Sequence, residues 1–323
     1  MLRSTAFVLT LFVASRAAAA QPAVDPARQD WFGKGGLRAV IGDNGAWGDH
    51  REKYNGVYLL ERKGLKESPF VPFYAGLNLE HYFDAVDLSS KDRDRFFEPR
   101  NAPMNFRRID AMTAELHQPA TPHFGVESWT TFTVDAPNAV DMAFRCTPHK
   151  DAFAGGVMGV FWASYINAPE DKSIYFLQEG STLDAPVWVQ LCTQAHGTQS
   201  TVRGAADTIE IPFDATGTNL YANFSPLRYS VPFYYGRFQD HALIFIFKPG
   251  PIVRFAHSPS GGGPAPKKDD TNPAWDFQLI VPDPKVGESY GLELRLVVAP
   301  WKGRGQVLET VRAYYAEEGI ALP

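Results

Sequence analysis

Glu127-Ser128-Trp129-Thr130-Thr131-Phe132-Thr133-Val134-Asp135 alternates along its length. In an extended chain Trp129, Thr131 and Thr133 fall on one side, and Thr130, Phe132 and Val134 on the other. The same reading extends outward from it. Upstream, residues 37–41, 57–61, 70–74 and 107–117 are short runs rich in Val, Ile, Phe, Tyr and Thr. Downstream, residues 139–147, 157–166, 173–178, 187–193 and 208–212 repeat the pattern, with Pro, Gly, Asn or Asp in most of the gaps. Strands at this density, with almost no helical periodicity between them, predict an all-β fold: a large antiparallel β-sandwich or barrel. One segment breaks the pattern in favour of a helix. Over 305–318, Val307, Leu308, Val311, Tyr314 and Tyr315 fall on one face, and Gly319 can end it. Residues 84–106 are charged and irregular and read as a solvated excursion over one sheet.

With 323 residues, 45% of them apolar, the chain can bury a large core. Met1-Leu2-Arg3, the apolar run 7–13 and Ala18-Ala19-Ala20 have the three parts of a secretory signal peptide. The expected organisation is a signal peptide at 1–20, a tether at 21–35 and a single β-sandwich domain over 36–323, in a secreted or periplasmic protein. No later stretch reaches the roughly 18 to 20 uninterrupted apolar residues of a membrane span, so membrane insertion is not expected. The chain has 31 basic and 36 acidic residues, a net charge of −5, and loses Arg3 and Arg16 with the signal peptide. An acidic chain without a basic stripe argues against nucleic acid as a partner and leaves small molecules and sugars. Cys146 and Cys192 form an even pair, a candidate disulfide in an oxidising compartment; two buried free thiols are the alternative.

Three constellations carry groups able to do chemistry. The first runs from Tyr74 to Asp84. On a regular strand Asn78, Glu80 and Tyr82 share one face and His81 the other, so Glu80 and His81 meet only if a bulge re-aims one of them. His81 is a candidate catalytic residue or a hydrogen-bonded core histidine; Glu80 is a candidate base, sugar ligand or salt-bridge partner. The second, Val160 to Pro169, puts Trp162 on one face and Tyr165 and Asn167 on the other. An aromatic plane beside an amide fits sugar recognition, and core packing is the alternative for Trp162.

The third, Val231 to Gln278, is the densest. Tyr235 and Arg237 share a strand face, and a neighbouring cation eases ionisation of a phenol. His257 could take the complementary proton, with Asp276 orienting it, and Asn272 and Trp275 complete the candidate binding set. Gly261-Gly262-Gly263 lacks the lysine of a phosphate loop and reads as a flap beside His257. No pair of histidines has metal-ligand spacing and there is no Gly-x-Ser-x-Gly elbow. The reading therefore includes no metal and no cofactor.

The stretches 73–84, 159–169 and 232–284 together resemble exported bacterial proteins of unknown function from planctomycete-type genomes, a group similar to the galactose-mutarotase-like supersandwich. That resemblance implies sugar chemistry in a concave sheet face. Epimerases of the fold use a histidine acid and a glutamate base, and its polysaccharide lyases use Tyr and His with Asn or Arg neutralising a uronate carboxylate. The epimerases' Asn-His-Ser/Thr-Tyr-Phe-Asn stretch is echoed only loosely by Glu80-His81-Tyr82-Phe83-Asp84, which departs from simple mutarotation.

Two functions follow as expectations. One is an enzyme of lyase or epimerase type acting on a sugar or uronate-containing polysaccharide, with Tyr235 and His257 or His81 as acid and base and Arg237 as electrostatic partner. The other is a non-catalytic carbohydrate-binding or envelope protein. They differ in one geometric requirement: the enzyme needs Tyr235, Arg237 and a histidine to converge on a cleft.

Overall fold

The computed structural model describes residues 22–33, 35–86, 92–267 and 269–321; the signal peptide read at 1–20 lies outside them. Two sheets packed face to face hold the core between them. The larger has nine strands in the order β11 (Trp188–Leu191), β10 (Ile174–Leu177), β14 (Phe233–Phe238), β15 (His241–Phe247), β18 (Tyr290–Pro300), β8 (Ala139–Pro148), β7 (Val126–Thr133), β6 (Thr113–Gln118) and β5 (Asn105–Arg108). The smaller has six: β13 (Phe224–Tyr229), β12 (Thr201–Gly204), β16 (Ile252–Ser258), β17 (Ala274–Pro282), β9 (Val157–Ala163) and β4 (Asn78–Phe83). β12 and β13 pair in parallel, whereas the pairs that build the centre of each sheet are antiparallel. A third sheet, β1 (Gln29–Phe32), β2 (Leu37–Gly42) and β3 (Gly56–Arg62), adds Phe32, Ile41, Val57 and Leu60 to the same core. Gln29–Phe32, expected in the tether, is thus a paired strand.

Strand patterning follows what covers each face. β7 alternates strictly, with Phe132 in the core and Trp129, Thr131 and Thr133 half-exposed, because its outer face meets solvent. β15 is buried at every position. Leu243, Phe245 and Phe247 point into the core, while Ala242, Ile244 and Ile246 lie under α3 (Arg304–Glu317), the expected C-terminal helix. Gly236 marks a close approach between the sheets: a Cβ there would stand 2.2 Å from the Trp275 ring.

The charged excursion forms two single-turn helices, α1 (Arg93–Phe96) and α2 (Glu98–Asn101), packed on β4; residues 87–91 lie outside the described set. Two expected strands are loops. Phe70 makes one bridge to Ile166. Residues 207–212 are drawn onto the six-stranded sheet by Arg254, fully buried, whose Nε donates to Asp207 at 2.6 Å and Nη2 to the Ile209 carbonyl at 2.6 Å.

The expected disulfide is not formed. Cys146 on β8 is buried and Cys192, just past β11, is exposed, both as free thiols. β11 and β8 stand five places apart in the sheet order, about 24 Å at the usual strand spacing, whereas a bridge needs Cα atoms within about 7 Å.

Candidate functional site

The site begins with a slip in strand pairing. Leu79 opposes Trp162, but His81, two residues on, opposes Phe161, one residue back. Glu80 is the extra residue of a bulge, which re-aims side chains where regular alternation would not. Leu79 and Tyr82 point into the core, and both Glu80 and His81 line a cavity on the outer face of the six-stranded sheet, roofed by α1 and α2. The cavity holds about 310 Å³, at the lower end of the range for small-ligand sites.

Glu80 is the hub. Its Oε1 lies 3.1 Å from His81 Nε2 and 3.8 Å from Arg100 Nη1. Its Oε2 accepts from the Tyr165 hydroxyl and from Asn78 Nδ2, the latter at 3.3 Å. Burial acts to raise this carboxyl, but His81, Arg100 and Tyr165 outweigh it and hold the pKa down at about 2. His81 Nδ1 sits 2.6 Å from the Phe96 carbonyl. Both of its ring nitrogens face acceptors, which the doubly protonated ring satisfies together. Arg100 stacks over Tyr54 at 3.8 Å and Phe97 at 4.6 Å, and its Nε donates to the Lys53 carbonyl at 3.1 Å.

Asp276 lines the same cavity, and its surroundings push its carboxyl the other way. Its Oδ1 accepts from the Ser164 backbone N–H at 3.0 Å. Burial, followed by the nearby Glu80 charge, pushes its carboxyl well above the ordinary carboxylate range despite that hydrogen bond. Opposite the roof, His196 Nδ1 lies 2.9 Å from Ser258 Oγ and Nε2 3.4 Å from the Thr218 carbonyl. The carbonyl takes the N–H, leaving Nδ1 to accept from the serine.

The expected convergence of Tyr235, Arg237 and His257 does not occur. Tyr235 is on the outer face of the nine-stranded sheet, packed by Tyr175, Trp188 and Trp301 and taking a hydrogen bond from Arg304 at 3.3 Å. Arg237 stacks over Trp301 at 5.0 Å. His257 lies fully buried, with Nδ1 2.9 Å from Thr193 Oγ1 and Nε2 2.8 Å from the Lys172 carbonyl; Asp276 does not orient it. His81, on the outer face of the other sheet, lines the cavity together with His196. Alternation within one strand is legible in sequence, but which sheet each strand joins is not.

The expected binding set divides in the same way. Glu80, Tyr165 and Asp276 line the cavity, and Asn78 supports Glu80 from behind while accepting from the Asn55 backbone. Trp162 and Trp275 are core residues: Trp162 packs edge-on to Phe144 at 4.7 Å and parallel to Phe277 at 5.1 Å, and Trp275 Nε1 donates to the Lys172 carbonyl. Asn167 donates to the Ser68 carbonyl. Asn272 fastens the glycine loop, donating to the Gly262 and Pro264 carbonyls, so that loop is tied down beside the cavity and is not a flap over His257. Arg100, Tyr54, His196 and Ser258 also line the cavity, and no periodicity in the sequence marks a residue that reaches a site from a roof or a loop.

No protein-family model and no curated protein matches the chain. Among solved structures it is similar to a protein from Escherichia coli K12 provisionally named an aldose 1-epimerase, at 11% identity over 84% of this chain and 99% of the other, with a TM-score of 0.50. The fold is the galactose-mutarotase-like sandwich. A galactose mutarotase-like protein from Lactobacillus casei (11% identity, 84% and 99% coverage, TM-score 0.40) and a heparan sulfate lyase mutant from Pedobacter heparinus (11%, 89% and 38%, TM-score 0.44) are further neighbours. Within this sandwich the cavity occupies the outer face of one sheet, which leaves the two-sheet core intact beneath it.

Proposed function

We infer that this is an exported carbohydrate-active protein whose β-sandwich domain catalyses proton transfer on a sugar in the Glu80–Asp276 cavity. One observation carries the reading: two buried carboxyl groups line one cavity, and their surroundings push their pKa values in opposite directions, Glu80 down and Asp276 up. Such a split supplies a base and an acid at once. In an aldose, Glu80 takes the proton of the anomeric hydroxyl as Asp276 protonates the ring oxygen, and the bond from the anomeric carbon to that oxygen breaks. Closure on the other face of the aldehyde returns both protons and inverts the centre. His81 and Arg100 keep Glu80 ionised. The fold likeness agrees with this reading.

A uronate as substrate is favoured by Arg93, which lines the cavity and has no ion-pair partner among the described residues. Two measurements test these readings: optical rotation of a panel of freshly dissolved aldoses, and ultraviolet absorbance from new double bonds in uronate polysaccharides. Accelerated mutarotation establishes the epimerase reading and absorbance the lyase reading. Binding without either leaves a carbohydrate-binding protein, and no effect of any sugar sinks the proposal.

A further inference from the structure

Strand register sets three rows of side chains across the outer face of the nine-stranded sheet, from β6 to β18. His117, Trp129, Arg145 and Gly291 form the first, Glu115, Thr131, Ala143 and Glu293 the second, and Thr113, Thr133, Asp141 and Arg295 the third. The middle row is low at its centre, because Thr131 and Ala143 are small and the larger Trp129 and Arg145 stand beside them. A groove results. Its two crevices, of about 640 and 170 Å³, share Thr131, Ala143 and Glu293, and the smaller reaches Tyr314 of α3. Thr131 is half-exposed and Ala143 and Arg145 are exposed, so the groove is open to solvent. The core separates it from the Glu80–Asp276 cavity, which lies on the outer face of the other sheet.

The charges along the groove are paired, with one exception. Glu115 meets Arg107 through Oε1 at 2.7 Å and Glu293 meets Lys248 through Oε2 at 3.0 Å, which leaves the second oxygen of each to accept from a ligand. Asp141 pairs with Arg295 at 2.6 Å. Arg145 lines the groove and has no ion-pair partner among the described residues. Its guanidinium lies 4.1 Å over the Trp129 ring, which His117 stacks at 5.0 Å. Stacking holds the guanidinium plane in place, ready to meet a carboxylate with two parallel hydrogen bonds.

A protein partner fits this face poorly. Apolar anchors carry protein interfaces, and the exposed large apolar side chains, Phe73, Val86, Ile109, Val187, Phe213 and Val286, all lie outside the groove. An added peptide strand would find no edge, because β7 and β8 are each paired on both sides. What remains is a ligand rich in hydroxyls that carries acid groups. We propose that the groove is a second glycan site, which binds an extended segment of a uronate-containing polysaccharide with one carboxylate on Arg145 and hydroxyls donating to Glu115 and Glu293. The choice of glycan rests on the sugar reading of the cavity: a chain anchored here keeps polymer at the surface of the protein while the reacting sugar is bound elsewhere. The chain is acidic overall, at a net charge of −5, so general attraction of a polyanion does not supply this binding.

The test is affinity electrophoresis of the protein in native gels cast with polygalacturonate, alginate or hyaluronan, and with the carboxyl-reduced form of each. The expected result is retardation by at least one of the three acidic polymers. Arg145→Gln should weaken it about tenfold or more, the usual worth of a charged hydrogen-bonded pair, and reducing the carboxyls should do the same. Ala143→Tyr should abolish it by filling the groove, and because Ala143 is exposed on its strand the variant keeps the core intact. Mutarotation of small aldoses reads the cavity separately and should be unchanged in both variants. A silent aldose panel with retardation lost only in the groove variants sinks the reading of the cavity and upholds this one. No retardation by any of the three polymers overturns the proposal, as does retardation that survives in Ala143→Tyr or is equal for the carboxyl-reduced polymer.

Discussion

His81 Nε2 lies 3.1 Å from Glu80 Oε1, although the two are sequence neighbours that a regular strand would send to opposite faces. The bulge that joins them is what makes a site on β4, because it places an ionised carboxylate and its counter-charges on one face. The pair is buried, so its charges are held by each other and by Arg100 and Tyr165 more than by water.

Replacing Glu80 with Gln removes the charge and leaves His81 and Arg100 without their counter-charge. Breaking one side of a buried ion pair costs about 3–5 kcal/mol. Urea denaturation of Glu80→Gln should show a loss of that order, and turnover on the sugar identified by the panel should fall with it. A variant as stable as the parent would show that Glu80 is not the hub.

Acid should weaken the fold before Glu80 is protonated, since its carboxyl is held down at about 2. Burial holds His257 down at about 4 and His50 at about 3, against an ordinary value of 6.5. Below pH 6.5 the unfolded chain takes up protons that these folded rings refuse, so their contribution is full above pH 6.5 and is lost as pH falls. For His257 the loss by pH 4 is on the order of 3 kcal/mol. Urea midpoints measured from pH 6.5 to 4 should decline steadily, and His257→Gln should decline less.

Tyr235→Phe should leave turnover unchanged. Its hydroxyl accepts one bond from Arg304 beneath α3 and faces away from the cavity, so removing it should cost stability of roughly 0.5–1.5 kcal/mol and no activity. A drop in turnover of tenfold or more would put the chemistry back on the nine-stranded sheet.

These residues mark the limit of what the sequence discloses. The alternation at Trp129 to Val134 and the apolar face of Val307, Leu308 and Val311 are set by local periodicity, and both elements stand as read. Tyr235 and Arg237 do share a face, but that face belongs to the layer under α3, because the placing of β14 beside β10 and β15 depends on long-range pairing. Glu80 and His81 needed a one-residue slip against β9 to meet, and a slip has no signature in β4 alone. Arg100 follows a charged run that resembles a solvated loop, yet its guanidinium is covered by Tyr54 and Phe97.

Reducing agent should not alter the unfolding midpoint, since neither cysteine is bridged. A thiol reagent should label one cysteine quickly in the native protein, the exposed Cys192, and both after denaturation. Burial also pushes the Cys146 thiol up to about 12, which disfavours the reactive thiolate. Protection of both thiols until reduction would restore the disulfide.

Asp276→Asn separates chemistry from stability where Glu80→Gln cannot. In the folded protein burial and the Glu80 charge push the Asp276 carboxyl well above the ordinary carboxylate range, which favours its neutral form. An amide is close to a neutral carboxylic acid in shape, and its oxygen can keep the bond from the Ser164 N–H. What it lacks is a proton to give. The unfolded carboxyl is ionised at neutral pH, so Asp276 itself costs the fold free energy there, and the amide should leave stability equal or slightly raised. Turnover should nevertheless fall by about 100- to 10,000-fold, the usual worth of a positioned general acid, with KM little changed. If Asp276→Asn keeps full activity while Glu80→Gln is inactive, the acid is another group at the cavity, and the Ser258–His196 pair becomes the place to look.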